Sequence, residues 1–486
     1  MMVQSQEPIP TTPVQVARSM CSIFQILYFR ACGDGKDESI TPIPSEHPSS
    51  NEKIVDKLFA FAYVWSVGGS MGGEDDHEKF DDFCTSEVLD FGINFGRDGV
   101  FGSFVETVDD WQARSQEDER LVEVKKEKAR ELAESGGGTG KKKKKGKKDE
   151  FSTGVTLGDV PGVNGDFRAW KLIVPSFEFD PSVQFFSLFV PTIDTVRYSF
   201  LMQVAYDAMN PIFFTGITGT GKSAISISLL NSLSQTIEGS DKKTVLPVPI
   251  NFSGQTVPKL VQSTIENKLE KKRKDLVGAP VGKNVVLFID DVNMPIKEIY
   301  GTQPPIELLR HLITHQFLYD RDKLFKKNVQ DVVTFAAAAP PGGGRATSCG
   351  RFTSLFHMLC VPKSSEEVLF TIFSSILGGF FEKNNFNDGV QKTCEGLVNC
   401  TIKVYIQIAQ DLRPTPTKSH YTFNLRDVAK VFQGEFGDDD DDDDDARPSQ
   451  KWTIACCNKS VGGKGCFFDL TIVTILCLTI TVSDRH

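Results

Sequence analysis

No apolar run in this sequence reaches the roughly 18 residues that a membrane-spanning helix needs. The longest, Leu470–Val482, has 13. The opening residues, MMVQSQEPIPTT, lack the apolar core of a secretory signal. Eleven cysteines among 486 residues do not make a disulfide framework, and no two form a Cys-x-x-Cys pair, which argues against a structural zinc site. These absences lead to the expectation of a soluble, intracellular chain with reduced thiols and no membrane partner. An excess of positive charge is lacking too. Lys and Arg number 54 against 64 Asp and Glu, a net charge of −10, so nucleic acid is not an expected partner. Eight consecutive aspartates, 438–445, carry most of that imbalance, and the rest of the chain is close to neutral.

What is present is an ordinary globular balance, 40% hydrophobic and 24% charged. Composition shifts divide the chain. Residues 1–110 hold helix-compatible apolar stretches, Val16–Tyr28 and Ile54–Val67, without a phosphate or metal motif. Residues 111–160 are charged and then glycine- and lysine-rich, reading as a linker or insertion. Residues 161–362 alternate short apolar runs with helical patterns, the signature of a parallel α/β sheet. Residues 363–436 read as a small helical lid. The remainder, 437–486, is an acidic tail expected to add nothing to the fold. Within the α/β part, strands are expected at Pro211–Thr215, Thr244–Phe252, Asn284–Asp290 and Asp331–Ala339. Helices are expected over Lys222–Leu233 and from Thr256 to about Lys272. Apolar runs without alternation imply a sheet covered on both faces.

The most specific motif is GITGTGKS, Gly216 to Ser223, which matches G-x-x-x-x-G-K-[ST] between a strand and a helix. Phosphate requires these residue types. Gly216, Thr218, Gly219, Thr220 and Gly221 form a loop whose backbone N–H groups can turn inward, and the helix N-terminus adds its positive dipole. Lys222 is suited to the β- and γ-phosphates of ATP, and the Ser223 hydroxyl to Mg²⁺. The strand VVLFIDD then supplies Asp290 as the carboxylate that supports the metal. Asp291 takes the place of the base that polarises attacking water. Hydrolytic relatives mostly carry glutamate there, and aspartate is one methylene shorter. A misplacement of about 1 Å can cost around 100-fold in rate, so fast hydrolysis is not expected.

Other signals are weaker. His311 and His315 have zinc-like spacing but lack the glutamate of H-E-x-x-H. The lysine tract 141–148 reads as a solvated insertion and the aspartate tract as an acidic spacer.

The order of P-loop, VLFIDDVNMP, YGTQPPIELLR, AAAAPPGGGR and SHYTFNLRDVAKVFQG resembles the third AAA+ module of axonemal dynein heavy chains. FVPTIDTVRYSFL resembles the entry to that module. IPTTPVQVARSM and KLFAFAYVWSVGGSM resemble the helical end of the preceding one. The resemblance implies a P-loop AAA+ fold with a helical small subdomain, and a part in a microtubule-based ciliary motor. It gives Asn251 the role of a polar switch facing the catalytic carboxylate. It makes Arg351 a finger directed at a neighbouring module's nucleotide and Arg426 a lid arginine near the γ-phosphate. Ala339 stands where many relatives have an asparagine that positions water, and only one arginine stands where the family usually has two. Partners implied are other dynein AAA+ modules, light and intermediate chains, and microtubules only through parts outside this sequence. The implied location is the axoneme of the cilium, in the cytoskeleton. A self-contained AAA+ ATPase that remodels proteins, or a non-catalytic fragment, are the alternative readings.

Overall fold

The computed structural model describes residues 7–32, 54–88, 99–105, 167–234, 243–342, 344–384, 386, 388–412, 415 and 423–436. The lysine tract, the aspartate tract and Leu470–Val482 lie outside them. Two compact units emerge. Of the described residues, one takes those within 1–173, 199–215 and 233–360, and the other those within 174–198, 216–232 and 361–436.

The first unit is organised by a five-stranded parallel sheet. Its strands are β3 (Ile212–Thr215), β4 (Thr244–Asn251), β7 (Lys283–Asp290), β10 (Val332–Ala337) and β11 (His357–Cys360), in the order β11-β3-β10-β7-β4. Register aligns Phe214 with Ala337, Ala336 with Ile289, and Asn251 with Asp290, so the carboxyl ends of the strands share one edge. Val285–Ile289 of β7 are all buried, as a strand covered on both faces requires. β4 contains Pro247 and Pro249, which cannot donate to a ladder; it accordingly lies at the sheet edge. The core beneath includes Phe213, Leu287, Ile306, Leu309, Phe352 and Phe356.

Four of the five strands fall where the apolar runs put them. β11 is additional. The helix expected from Thr256 to about Lys272 is shorter: it covers Pro258–Glu266, and Glu270–Arg273 is instead a strand, β5. β5 pairs with β6 (Leu276–Gly278), which joins β9 (Lys326–Gln330) and β8 (Phe317–Tyr319) in a second, four-stranded sheet. Glu, Lys and Arg favour helix weakly, by tenths of a kcal/mol, and ladder pairing overrides that preference. His311 and His315 lie on the helix Pro304–His315, with ring centroids 4.9 Å apart, beside Phe317.

In the same unit α1 (Pro13–Cys32) packs on α2 (Ile54–Val67). The buried Gln15 amide of α1 donates to the carbonyls of Thr353 and Phe356, each at 2.9 Å. Arg30 pairs with Asp207. Among the described residues no helix is long and apolar enough to cross a membrane.

The second unit has its own core, formed by α9 (Glu366–Lys383), α11 (Cys394–Asp411) and α12 (Leu425–Phe436). Ser365 caps α9 by accepting from the Val368 N–H at 3.3 Å. Phe373 and Phe432 stack at 4.5 Å in the middle of this bundle.

Candidate nucleotide-binding site

From Thr215 the chain passes directly into the GITGTGKS loop and then into the helix α5, Lys222–Ser234. Gly216, Gly219 and Gly221 have φ of +141°, +87° and +87°. A side chain at Gly219 would put its Cβ 2.7 Å from Cβ of Asn424, so glycine is required there twice over. At Gly221 the same left-handed backbone faces open space: apart from its chain neighbours, nothing lies within 4 Å of a hypothetical Cβ. Lys222 is only 8% exposed. Its ammonium donates to the carbonyls of Gly216 at 2.8 Å and Ile217 at 2.7 Å. Thr220 Oγ1 donates to the Ile217 carbonyl at 3.1 Å, while Thr218 is exposed. Ser223 follows in the first turn of α5, and the Ile225 N–H closes on the Gly221 carbonyl at 2.9 Å. A glycine backbone turned around open space, a buried ammonium and a helix N-terminus are what a chain of phosphates needs.

The loop does not stand alone in its unit. Asn424, Leu425 and Arg426 open α12, and the contact between Gly219 and Asn424 brings this helix start against the loop. Arg426, the lid arginine of the sequence reading, is exposed in the first turn. Asn424 itself was not singled out by any motif.

In the other unit Asp290 ends β7, half-buried, level with Asn251 at the end of β4. Asn251 is exposed. The Phe252 N–H donates to the Asp290 carbonyl at 3.0 Å, and the Asp291 N–H donates to the Asp290 carboxylate at 3.0 Å. Asp291 takes a left-handed conformation, φ +50°, which aspartate tolerates better than most residues. Its carboxylate lies 3.9 Å from Nε of Arg345. Arg345 is held there by backbone bonds exchanged with Gly342 at 3.2 and 3.0 Å. Asn293, 1% exposed, locks the two loops together. Its side-chain amide donates to the Ala339 carbonyl at 2.8 Å, and its backbone carbonyl accepts from the Ala346 N–H at 3.1 Å. Sequence reasoning missed Arg345 and Asn293; the GGG run before Arg345 was the one visible hint of a tight turn there. Arg351 is exposed on the short helix α8, Gly350–Thr353.

Comparison with known proteins gives a consistent answer along the chain. Residues 177–364 match the family described as the P-loop containing dynein motor region. Residues 2–113 match the dynein heavy chain AAA lid domain, and 397–438 the AAA+ lid domain. Dynein axonemal heavy chain 6 of Homo sapiens is 45% identical over 433 residues, covering 88% of this chain and 9% of that protein. Dynein axonemal heavy chain 3 of Homo sapiens is 31% identical over 439 residues, with the same two coverages. Dynein axonemal heavy chain 10 of Homo sapiens is 39% identical over 266 residues, 54% of this chain and 6% of that protein. The chain thus spans less than a tenth of the length of these relatives. Motor-region and lid sequence match in turn, on a parallel sheet with a P-loop: this chain belongs to the axonemal dynein heavy chain family.

Proposed function

We propose that Gly216–Ser223 bind ATP with Mg²⁺ and that this AAA+ module regulates a ciliary dynein, hydrolysing ATP slowly. One observation carries the binding claim: the Lys222 ammonium is buried inside a left-handed glycine loop that borders open space. On binding, the loop carbonyls of Gly216 and Ile217 would yield that ammonium to the β- and γ-phosphates. Backbone N–H groups of Gly219–Ser223 would take the remaining oxygens. Ser223 and Asp290 are the residues that would hold Mg²⁺, which supplies charge neutralisation of the transferring phosphate.

Slow hydrolysis follows from three features of the residues. Asp291, as the base, is one methylene short, and its carboxylate is turned toward Arg345. Ala339 offers only a methyl and its carbonyl is occupied by Asn293. A finger arginine for this site would come from another module; such residues are worth about 10³–10⁵ in rate. Asn251 would act as the polar switch, Arg426 as the lid arginine, and Arg351 as the finger offered to a neighbour. In this reading residues 1–110 are the helical end of a preceding module, 111–160 a linker or insertion, 161–362 the large subdomain, 363–436 its lid and 437–486 a tail. Other dynein modules and the light and intermediate chains are its partners, and the ciliary axoneme its place. Microtubules are reached through parts outside this sequence.

Steady-state phosphate release from the purified chain tests the regulatory reading. Turnover far below 1 s⁻¹ is expected. Turnover near about 1 s⁻¹ or faster, abolished by Asp291→Asn, would show a complete hydrolytic site and overturn it.

A further inference from the structure

The helix Pro304–His315 carries His311 and His315 four residues apart, so both rings stand on one face of its C-terminal end. Their centroids are 4.9 Å apart. The chain then reverses at once. Gln316 takes a left-handed conformation, φ +53°, its N–H donates to the Leu312 carbonyl at 2.8 Å, and β8 folds back beside the helix. Phe317 meets the His311 ring edge-on at 4.5 Å, and Tyr319 lies nearly parallel to it at 6.2 Å. His311 is partly buried by this arrangement, while His315 is exposed.

A partly buried histidine is ordinarily explained by its hydrogen bonds. This one is not, since Nε2 of His311 is buried and has no hydrogen-bond partner among the described residues. The spacing of the pair suits a different task. A tetrahedral metal ion held at about 2.0–2.1 Å by one nitrogen from each of two imidazoles sets their centroids roughly 5 Å apart. That is close to the 4.9 Å already present. Nearby cations are engaged elsewhere. Arg310 donates to the Glu307 carboxylate at 2.7 Å, and the Lys326 ammonium lies 4.3 Å from the centroid of the Phe317 ring. The dipole at the C-terminal end of the helix favours added positive charge there. The glutamate missing from H-E-x-x-H serves hydrolysis and not metal holding, so its absence leaves the ligand pair intact.

We propose that His311 and His315 form a binding site for a divalent transition-metal ion of the zinc, nickel or copper class, each ring giving one nitrogen and water completing the coordination. The exposed His315 takes the ion from solvent, and a turn of its ring brings the ion onto His311. Imidazole donors select these metals over Mg²⁺ and Ca²⁺, which take oxygen ligands. The site is thus distinct in chemistry from Ser223 and Asp290. Among the described residues no third His, Cys, Asp or Glu joins the pair. The ion is therefore held reversibly, as a clip on the last turn of the helix, and not as the closed four-ligand centre of a structural zinc site.

The experiment is a calorimetric titration of Ni²⁺ into the whole chain, with millimolar Mg²⁺ present and at about pH 7.5, where imidazole is neutral. It compares the parent with His311→Ala, His315→Ala and the double variant. The parent is expected to show a site of micromolar affinity that Mg²⁺ does not displace. Each single variant is expected to weaken it about tenfold or more, because two ligands on one helix act at high effective concentration. Metal held by cysteines elsewhere would appear equally in all four chains. The melting temperature is the structural control: without metal it is expected to be the same in His315→Ala and the parent, and added Ni²⁺ is expected to raise it in the parent alone. If His311→Ala does not fold, His315→Ala gives the reading. Failure of the parent to bind Ni²⁺ overturns the proposal, and so does equal affinity in the parent and His315→Ala, or displacement by Mg²⁺. Lys222→Ala is expected to keep the parental Ni²⁺ affinity, so the metal site and the nucleotide site stand or fall separately.

Discussion

The Asp291 carboxylate and the Arg345 guanidinium, 3.9 Å apart, join the residue after β7 to the glycine-rich turn after β10. The pair matters more for where it points Asp291 than for stability. Asp291 is 47% exposed at its side chain and the separation is at the limit of an ion pair. Exposed pairs of this kind contribute about 0–1 kcal/mol. In a double-mutant cycle with Asp291→Asn and Arg345→Gln, read by urea unfolding, the coupling is expected below about 1 kcal/mol. A larger coupling would show that the pair organises the loop.

The left-handed backbone at Asp291 gives a second test. Asparagine tolerates φ near +50°, whereas a β-branched side chain does not. Asp291→Asn is expected to leave stability within about 0.5 kcal/mol, and Asp291→Val to lower it by about 1–2 kcal/mol. Equal stabilities for the two variants would mean that the residue relaxes to negative φ.

His357, at the start of β11, is 8% exposed and neither ring nitrogen has a hydrogen-bond partner among the described residues. Burial pushes its imidazole down from 6.5 to about 4. Between those values the unfolded chain binds a proton that the folded chain refuses. Stability therefore falls as pH drops through 6.5 and levels off below about 4. His357 alone is expected to remove about 2 kcal/mol between pH 7 and pH 5. His357→Leu is expected to flatten that part of the stability profile. An identical pH dependence in parent and variant would contradict this.

In the helical unit Phe432 is 1% exposed and stacked on Phe373. Phe432→Ala leaves a cavity at the junction of α9, α11 and α12 and is expected to cost about 3–5 kcal/mol. Denaturant unfolding measures it. A loss under about 1 kcal/mol would mean that the bundle repacks around the gap.

Much of this architecture was legible in the sequence because buried parallel strands write themselves as unbroken apolar runs. PIFFT, NVVLFID and DVVTFAAAA gave β3, β7 and β10 within one or two residues. β11 was missed because HMLC is short and begins with a histidine, and no local rule anticipates burial of an imidazole whose nitrogens have no partner among the described residues. The strand Glu270–Arg273 was read as helix because EKKR carries no apolar alternation; its pairing with β6 and, beyond it, β9 is tertiary. The loop Gly216–Ser223 was visible from its spacing alone. Asn424 and Arg345 were not, since each acquires its place only when distant loops close on Gly219 and Asp291.

The central claim, that the Lys222 loop holds a nucleotide, is tested most directly by equilibrium titration of a fluorescent ATP analogue with Mg²⁺ into the whole chain and its Lys222→Ala variant. The parent is expected to bind saturably. The variant is expected to lose detectable binding, because the charge facing the β- and γ-phosphates is gone while Gly216–Gly221 and α5 persist. Equal affinity of parent and variant would contradict the account.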